Sequence, residues 1–168
     1  MDNKLYKHTT EGIDDMPAHI KSALTNNQVT LSVKNKRLML GTWQGLYDFT
    51  EQTLNWLKKQ KINNGILNIN ILHTSASLVI QENADPDVLH DLQNFFDKLA
   101  PMDNQLYKHT TEGKDDMPAH IKSALTNNQL TLSIKNKQLM LGTWQGLYLF
   151  EHRLEQHNRT LSHHLIGD

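Results

Sequence analysis

The chain has 168 residues, 17 Lys+Arg against 18 Asp+Glu and a formal net charge of -1, with no basic run that would follow a nucleic-acid backbone. It contains no cysteine, which excludes disulfides, thiolate nucleophiles and zinc–sulfur sites. No apolar stretch approaches the ~18 residues of a membrane span, and the first residues lack a signal peptide's apolar centre, so a cytoplasmic protein without membrane or nucleic-acid partners is expected.

Residues 1–47 recur almost unchanged as residues 102–148. The two stretches differ only at Lys4/Gln105, Ile13/Lys114, Val29/Leu130, Val33/Ile134 and Arg37/Gln138. Residues 1–37, a partial duplicate of 102–138, are too few to bury a core of their own. They are expected to act as an accessory or swapped segment that lies on the main body, pairs with another subunit or stays mobile. Residues 38–168 are expected to form the domain.

Along the chain, RLMLGTWQGLYDF (37–49) reads as the domain's first strand. Thr50 reads as the N-cap of a helix over TEQTLNWLKKQK, with lysines at the end where the helix dipole favours cations. Asn64-Gly65 stops it. Leu67, Ile69 and Ile71 alternate with Asn68 and Asn70 in a strand, and SLVIQE supplies another. Asp85-Pro86 is a helix start, followed at helical spacing by Leu89, Leu92, Phe95, Phe96 and Leu99. Residues 103–116 read as a loop. Asp115 and Asp116 precede a short helix through Leu125. LTLSIK and LMLGTW read as strands about an Asn136-Lys137 turn, and RTLSHHLI reads as the last strand. This order fits a mixed α+β fold with a largely antiparallel sheet.

The densest polar cluster is HTTEGKDDMPAH, which sets His109, Glu112, Asp115, Asp116 and His120 within twelve residues. Imidazoles with carboxylates suit zinc, manganese or iron, and carboxylates alone suit magnesium carrying a phosphate. The competing reading has the aspartates capping a helix. In HTSAS, His73 with Ser75 and Ser77 offers an anion or metal site, or an ordinary strand edge. Asn83 and Asp85 precede a helix start that suits phosphate, or Asp85 is a plain cap. In GTWQG, Thr143, Trp144 and Gln145 lie between glycines that allow ligand approach or a bulge. The first repeat keeps His8, Glu11, Asp14, Asp15 and His19 but has no HTSAS before it, so the second repeat is expected to carry the working site.

HTSASLVIQENADPDV, YKHTTEGKDDMPAHIKSAL, LGTWQGLYLFEHR and the closing LIGD together resemble the YjbQ-like family, also called the secondary thiamine-phosphate synthase family. The resemblance covers roughly residues 38–168. It implies an α+β fold with a seven-stranded β-sandwich and a homotrimeric assembly. It also implies thiamine-phosphate synthase activity, as a secondary activity, joining a pyrimidine pyrophosphate to a thiazole phosphate. A divalent metal (zinc, magnesium or manganese) is implied at His73, His109 and His120. On that reading His73, Glu112 and His120 are catalytic. Ser75, Ser77, Asn83, Asp85, Asp115, Asp116, Thr143, Trp144 and Gln145 then bind the phosphorylated small-molecule substrate. A metal-dependent hydrolase and a non-catalytic metal- or ligand-binding trimer are the alternatives. The chain departs from the family's pattern at Gln129 and Lys137, where a serine and a turn glycine are usual, so a locally different turn is expected. It also departs in the EQHNRT approach to the last strand.

Overall fold

The computed structural model describes residues 6–8, 15–17, 20, 37–42 and 44–168, with the side chains of 37–42 excepted. Glu11, Asp14 and His19 of the first repeat lie outside the described residues. The elements are β1 (Arg37–Thr42), β2 (Gly45–Asp48), α1 (Thr50–Lys58), β3 (Gly65–Ile71), β4 (Ala76–Glu82), α2 (Pro86–Leu99), α3 (Asp116–Leu125), β5 (Gln129–Lys135), β6 (Gln138–Leu139), β7 (Gln145–Glu151) and β8 (His157–Gly167).

The strands form one sheet in the order β1-β8-β3-β5-β6 and another in the order β2-β7-β4. Every ladder among the described residues is antiparallel, so the expected α+β, largely antiparallel architecture is what the chain adopts. The main core lies between the sheets. Leu67, Ile69 and Ile71 of β3, Leu132 of β5 and Leu161 of β8 meet Leu78 of β4 and Leu147 and Leu149 of β7, with Leu57 of α1 closing one side. The period-2 pattern of β3 decides this, because its alternate side chains must share one face.

Residues 37–49 do not form one strand. They divide into β1, which joins β8 in the larger sheet, and β2, which joins β7 in the smaller one. Gly45, Leu46 and Tyr47 of the first QGLY therefore lie beside the residues that follow the second, with Leu46 opposite Phe150 and Tyr47 opposite Leu149. LMLGT also has two fates. In the first repeat it belongs to six-residue β1. In the second only Leu139 is in a strand, and the expected LMLGTW strand gives way to a loop.

Thr50 is inside α1 rather than its cap, which is Phe49. The Thr50 amide donates to Asp48 Oδ1 at 2.8 Å, and its hydroxyl accepts from the Leu147 amide at 2.8 Å. Asp85 does cap α2, accepting from the Asp87 amide at 2.9 Å, with Pro86 in the first turn. The β5–β6 turn keeps a left-handed backbone at both central residues without glycine, with φ 51 at Asn136 and 57 at Lys137. These angles suit a two-residue hairpin turn. Neighbouring groups hold it: Lys137 Nζ donates to the Gln60 carbonyl at 2.6 Å and its amide to the Asn63 carbonyl at 2.9 Å.

A second core shows where the described part of the first repeat rests. Met16 and Ile20 are buried against Val88, Leu92 and Phe96 of α2 and Phe150 of β7. Burying each such side chain contributes roughly 1.5–3 kcal/mol. Tyr6 packs on the same core, and His8 bonds to Asp85 and Asp91.

Candidate metal centre

The loop before α3 brings His109 onto Asp116, the first residue of that helix, with Nε2 2.7 Å from Oδ2. One helical turn later His120 returns to the same oxygen, with Nε2 at 3.4 Å. The i,i+4 spacing puts Asp116 and His120 on one face of α3. One ligand atom from each of His109, Asp116 and His120 lies within 4.8 Å of the others.

Arg153 orients the carboxylates. Its Nε donates to Asp115 Oδ2 at 2.9 Å, Nη1 to Asp116 Oδ1, and Nη2 to the Glu112 carbonyl at 2.7 Å. Asp115 is the N-cap residue of α3, as the competing reading had it, but its side chain makes no cap bond. Its carboxylate turns instead to Arg153 and the Leu154 amide. Burial opposes charge on Asp115, yet those hydrogen bonds hold it below the usual carboxylate range.

The fit to a metal rests on tautomers. The Nδ1 of His120 lies 3.1 Å from the Thr74 carbonyl, which can only accept, so in the neutral ring the proton is on Nδ1 and Nε2 carries a lone pair. With His109 and Asp116 this is a two-imidazole, one-carboxylate set, the chemistry of zinc, manganese or iron sites. The residues present fit such an ion, with Arg153 as the outer group that fixes the carboxylate.

Beside this centre, His73 Nδ1 accepts from the Ser75 amide at 3.1 Å and lies 3.0 Å from the Ser75 hydroxyl. In the neutral ring the proton is then on Nε2. Burial first, and then the Arg159 charge, lowers the His73 pKa, with a smaller contribution from His120. Arg159 Nη2 donates to Ser75 Oγ at 3.2 Å. Arg159 also makes a two-point ion pair with Glu151, and both side chains have zero exposure. Arg159 Nη1 is buried with no hydrogen-bond partner among the described residues. Ser77 is fully buried, its hydroxyl 2.9 Å from His152 Nε2. Burial, then Lys122 and Arg159, push the His152 pKa well down.

The expected site residues fall into two groups. His73, Ser75, His109, Glu112, Asp115, Asp116 and His120 gather around the end of the β4–β7 ladder where Ala76 pairs with Glu151. Glu112 is exposed, its backbone carbonyl tied to Arg153. Asn83, Asp85, Thr143, Trp144 and Gln145 gather at the other end, where Glu82 pairs with Gln145. A seven-residue strand at ~3.3 Å per residue separates the ends by about 20 Å. The Asn83 amide donates to the Trp144 carbonyl at 3.1 Å, and Trp144 is 65% exposed. Asp85 accepts from the first repeat: His8 Nδ1 lies 2.7 Å from its Oδ2.

Arg153, Glu151 and Arg159 lie beside the expected site residues without being among them. The EHR triplet and the lone arginine of EQHNRT were the available signals, but pairing across eight residues and into separate loops depends on the fold.

The family model for the UPF0047 protein YjbQ-like family matches residues 1–47 and again residues 44–168. The chain is 47% identical over 125 residues to UPF0047 protein sll1880 of Synechocystis sp., covering 74% of this chain and 85% of that protein. It is 40% identical over 141 residues to UPF0047 protein YjbQ of Escherichia coli O157:H7, covering 83% of this chain and 96% of that one. The crystal structure of an uncharacterized conserved protein of the YjbQ/UPF0047 family from Clostridium acetobutylicum superposes with a TM-score of 0.72 at 32% identity, covering 79% of this chain and all of that one.

Proposed function

The chain belongs to the UPF0047 protein YjbQ-like family, and from that premise we propose a metal-dependent enzyme acting on a phosphorylated small molecule, with thiamine-phosphate synthase-like condensation as its reaction. The observation that supports it is the convergence of His109 Nε2 and His120 Nε2 on one Asp116 oxygen. A divalent ion, if bound by His109, Asp116 and His120, would supply charge neutralisation at phosphate oxygens. His73 Nε2–H donates a hydrogen bond to a phosphate oxygen. Ser75, held between His73 and Arg159, fixes the ring that does so. Glu151 keeps Arg159 in place from below. Preorganised donors of this kind stabilise a departing pyrophosphate without reorganising at the moment of reaction. The homotrimer implied by the resemblance belongs to the same proposal.

A second reading, metal-dependent hydrolysis of one phosphorylated substrate, is favoured by a specific distance. Within one chain Trp144, the ring suited to stacking on a heteroaromatic partner, lies next to one end of the β4–β7 ladder and His73 next to the other, ends that a seven-residue strand sets about 20 Å apart. Hydrolysis needs no such platform.

The test incubates the metal-loaded protein with a pyrimidine pyrophosphate and a thiazole phosphate. Pyrophosphate release that requires both substrates supports condensation. Orthophosphate release from either alone supports the hydrolase. Stoichiometric binding without turnover would remove both enzyme readings.

A further inference from the structure

The two repeats hold the same local geometry in different surroundings. His8 Nε2 meets Asp15 Oδ2 at 2.7 Å, as His109 Nε2 meets Asp116 Oδ2 at 2.7 Å. In the first repeat this unit is seated on α2. Asp91 Oδ2 accepts from the His8 amide at 2.8 Å and from the Lys7 amide, and Asp85 Oδ2 lies 2.7 Å from His8 Nδ1. Met16 and Ile20 are 1% and 6% exposed there. In the second repeat Met117 and Ile121, identical in type, are only half-buried, and the His109 side chain is 42% exposed against 1% for His8. The face that the first repeat buries on α2 is thus left partly open on its duplicate.

We propose that the α2 face bounded by Asp85, Asp91, Leu92 and Phe96 is a docking surface for this repeated unit, and that the first repeat, bound within the chain, competes with the second repeat of another copy for it. The occupant in trans is a second copy of this chain, presenting His109, Met117 and Ile121. Its fit is argued from the first repeat, whose matching side chains already occupy the surface. Docked that way, His109 of one copy would meet Asp85 of its neighbour. That joins the two groups of site residues, which within one chain lie at opposite ends of the β4–β7 ladder. The first repeat is tethered, at an effective concentration on the order of millimolar, so it keeps the surface filled at lower protein concentrations.

The full-length chain tests this by sedimentation velocity over a concentration series. M16D/I20D should free the surface and assemble at a concentration at least about tenfold lower than the unmodified chain. M16D/I20D/M117D/I121D should return to the unmodified behaviour. H8A, which keeps both apolar side chains, should shift in the same direction by less, and serves if the double variant does not fold. Unchanged assembly in M16D/I20D and H8A overturns the proposal. So does assembly of the quadruple variant equal to that of M16D/I20D, because the second repeat would then play no part.

Discussion

His8 and His109 are equivalent residues of one repeated sequence, yet His8 is clamped between Asp15 and Asp85 while His109 meets Asp116 at a half-open surface. The difference is set by what each repeat lies against. The first faces α2. The second faces the end of β4, where Ser123 Oγ donates to the Ala76 carbonyl at 3.1 Å.

Docking of the first repeat should depend on pH at both ends. Burial opposes charge on His8, but its bonds to Asp85 and Asp15 outweigh it and raise the pKa above 6.5. The contact is therefore fully present below about pH 6.5 and is lost as pH rises through the higher folded value. Asp85 is held below 3.8, chiefly by the Asp87 amide and then by His8. Its contribution is present above about pH 3.8 and lost as pH falls through the lower folded value. Amide hydrogen exchange at Met16 and Ile20 should be slowest between these limits, and D85N should flatten the alkaline loss. Exchange that ignores pH from 5 to 8 would contradict this reading.

How much of this was legible beforehand varied with the kind of contact. The alternation in β3 and the Asp85-Pro86 start could be read because the deciding neighbours are adjacent in sequence. Thr50 lies inside its helix rather than at the cap, and Asp115 stands at the N-cap position with its side chain turned away, because their partners, Leu147 and Arg153, are distant in sequence. The split of residues 37–49 between two sheets was illegible for a similar reason: strand period says nothing about which sheet a strand joins. At the site, spacing placed His109, Asp116 and His120 in one polar cluster, but the expected metal set was His73, His109 and His120, with Asp116 assigned to substrate. The separation of Trp144 and Asn83 from His73 required the register of β4 against β7.

The buried Glu151–Arg159 pair should be costly to break and cheap to replace. E151Q leaves a guanidinium with zero exposure uncompensated, and a loss of roughly 3–5 kcal/mol is expected. E151L/R159M should recover most of it, because an apolar pair of similar volume carries no desolvation penalty. Urea unfolding midpoints of the three proteins read this directly. Equal stability of E151Q and the unmodified chain would contradict it.

His163 should contribute to acid unfolding. Burial lowers its pKa from 6.5 to about 4. The unfolded chain takes up this proton first, so stability is fully present above about pH 6.5 and falls as pH drops toward 4. The contribution is on the order of 3 kcal/mol. H163Q, which cannot titrate, should show a shallower decline of thermal midpoint between pH 6.5 and 4. An unchanged slope would remove His163 as the cause.

Arg153 should tune the candidate centre without belonging to it. R153Q releases Asp115 and Asp116 from their ion pairs. Loss of such an outer-shell group weakens metal affinity by roughly 10–100-fold. Competition with a chromophoric chelator should report that loss, and an unchanged affinity would show that the carboxylate is held by other means.

Metal content of the intact chain is the most direct measurement. After saturation with zinc and exhaustive buffer exchange, elemental analysis should find about one ion per chain, with H120A and D116N each losing it and H8A retaining it. A chain that holds no ion under these conditions, or that loses it equally through H8A, would contradict a centre built from His109, Asp116 and His120.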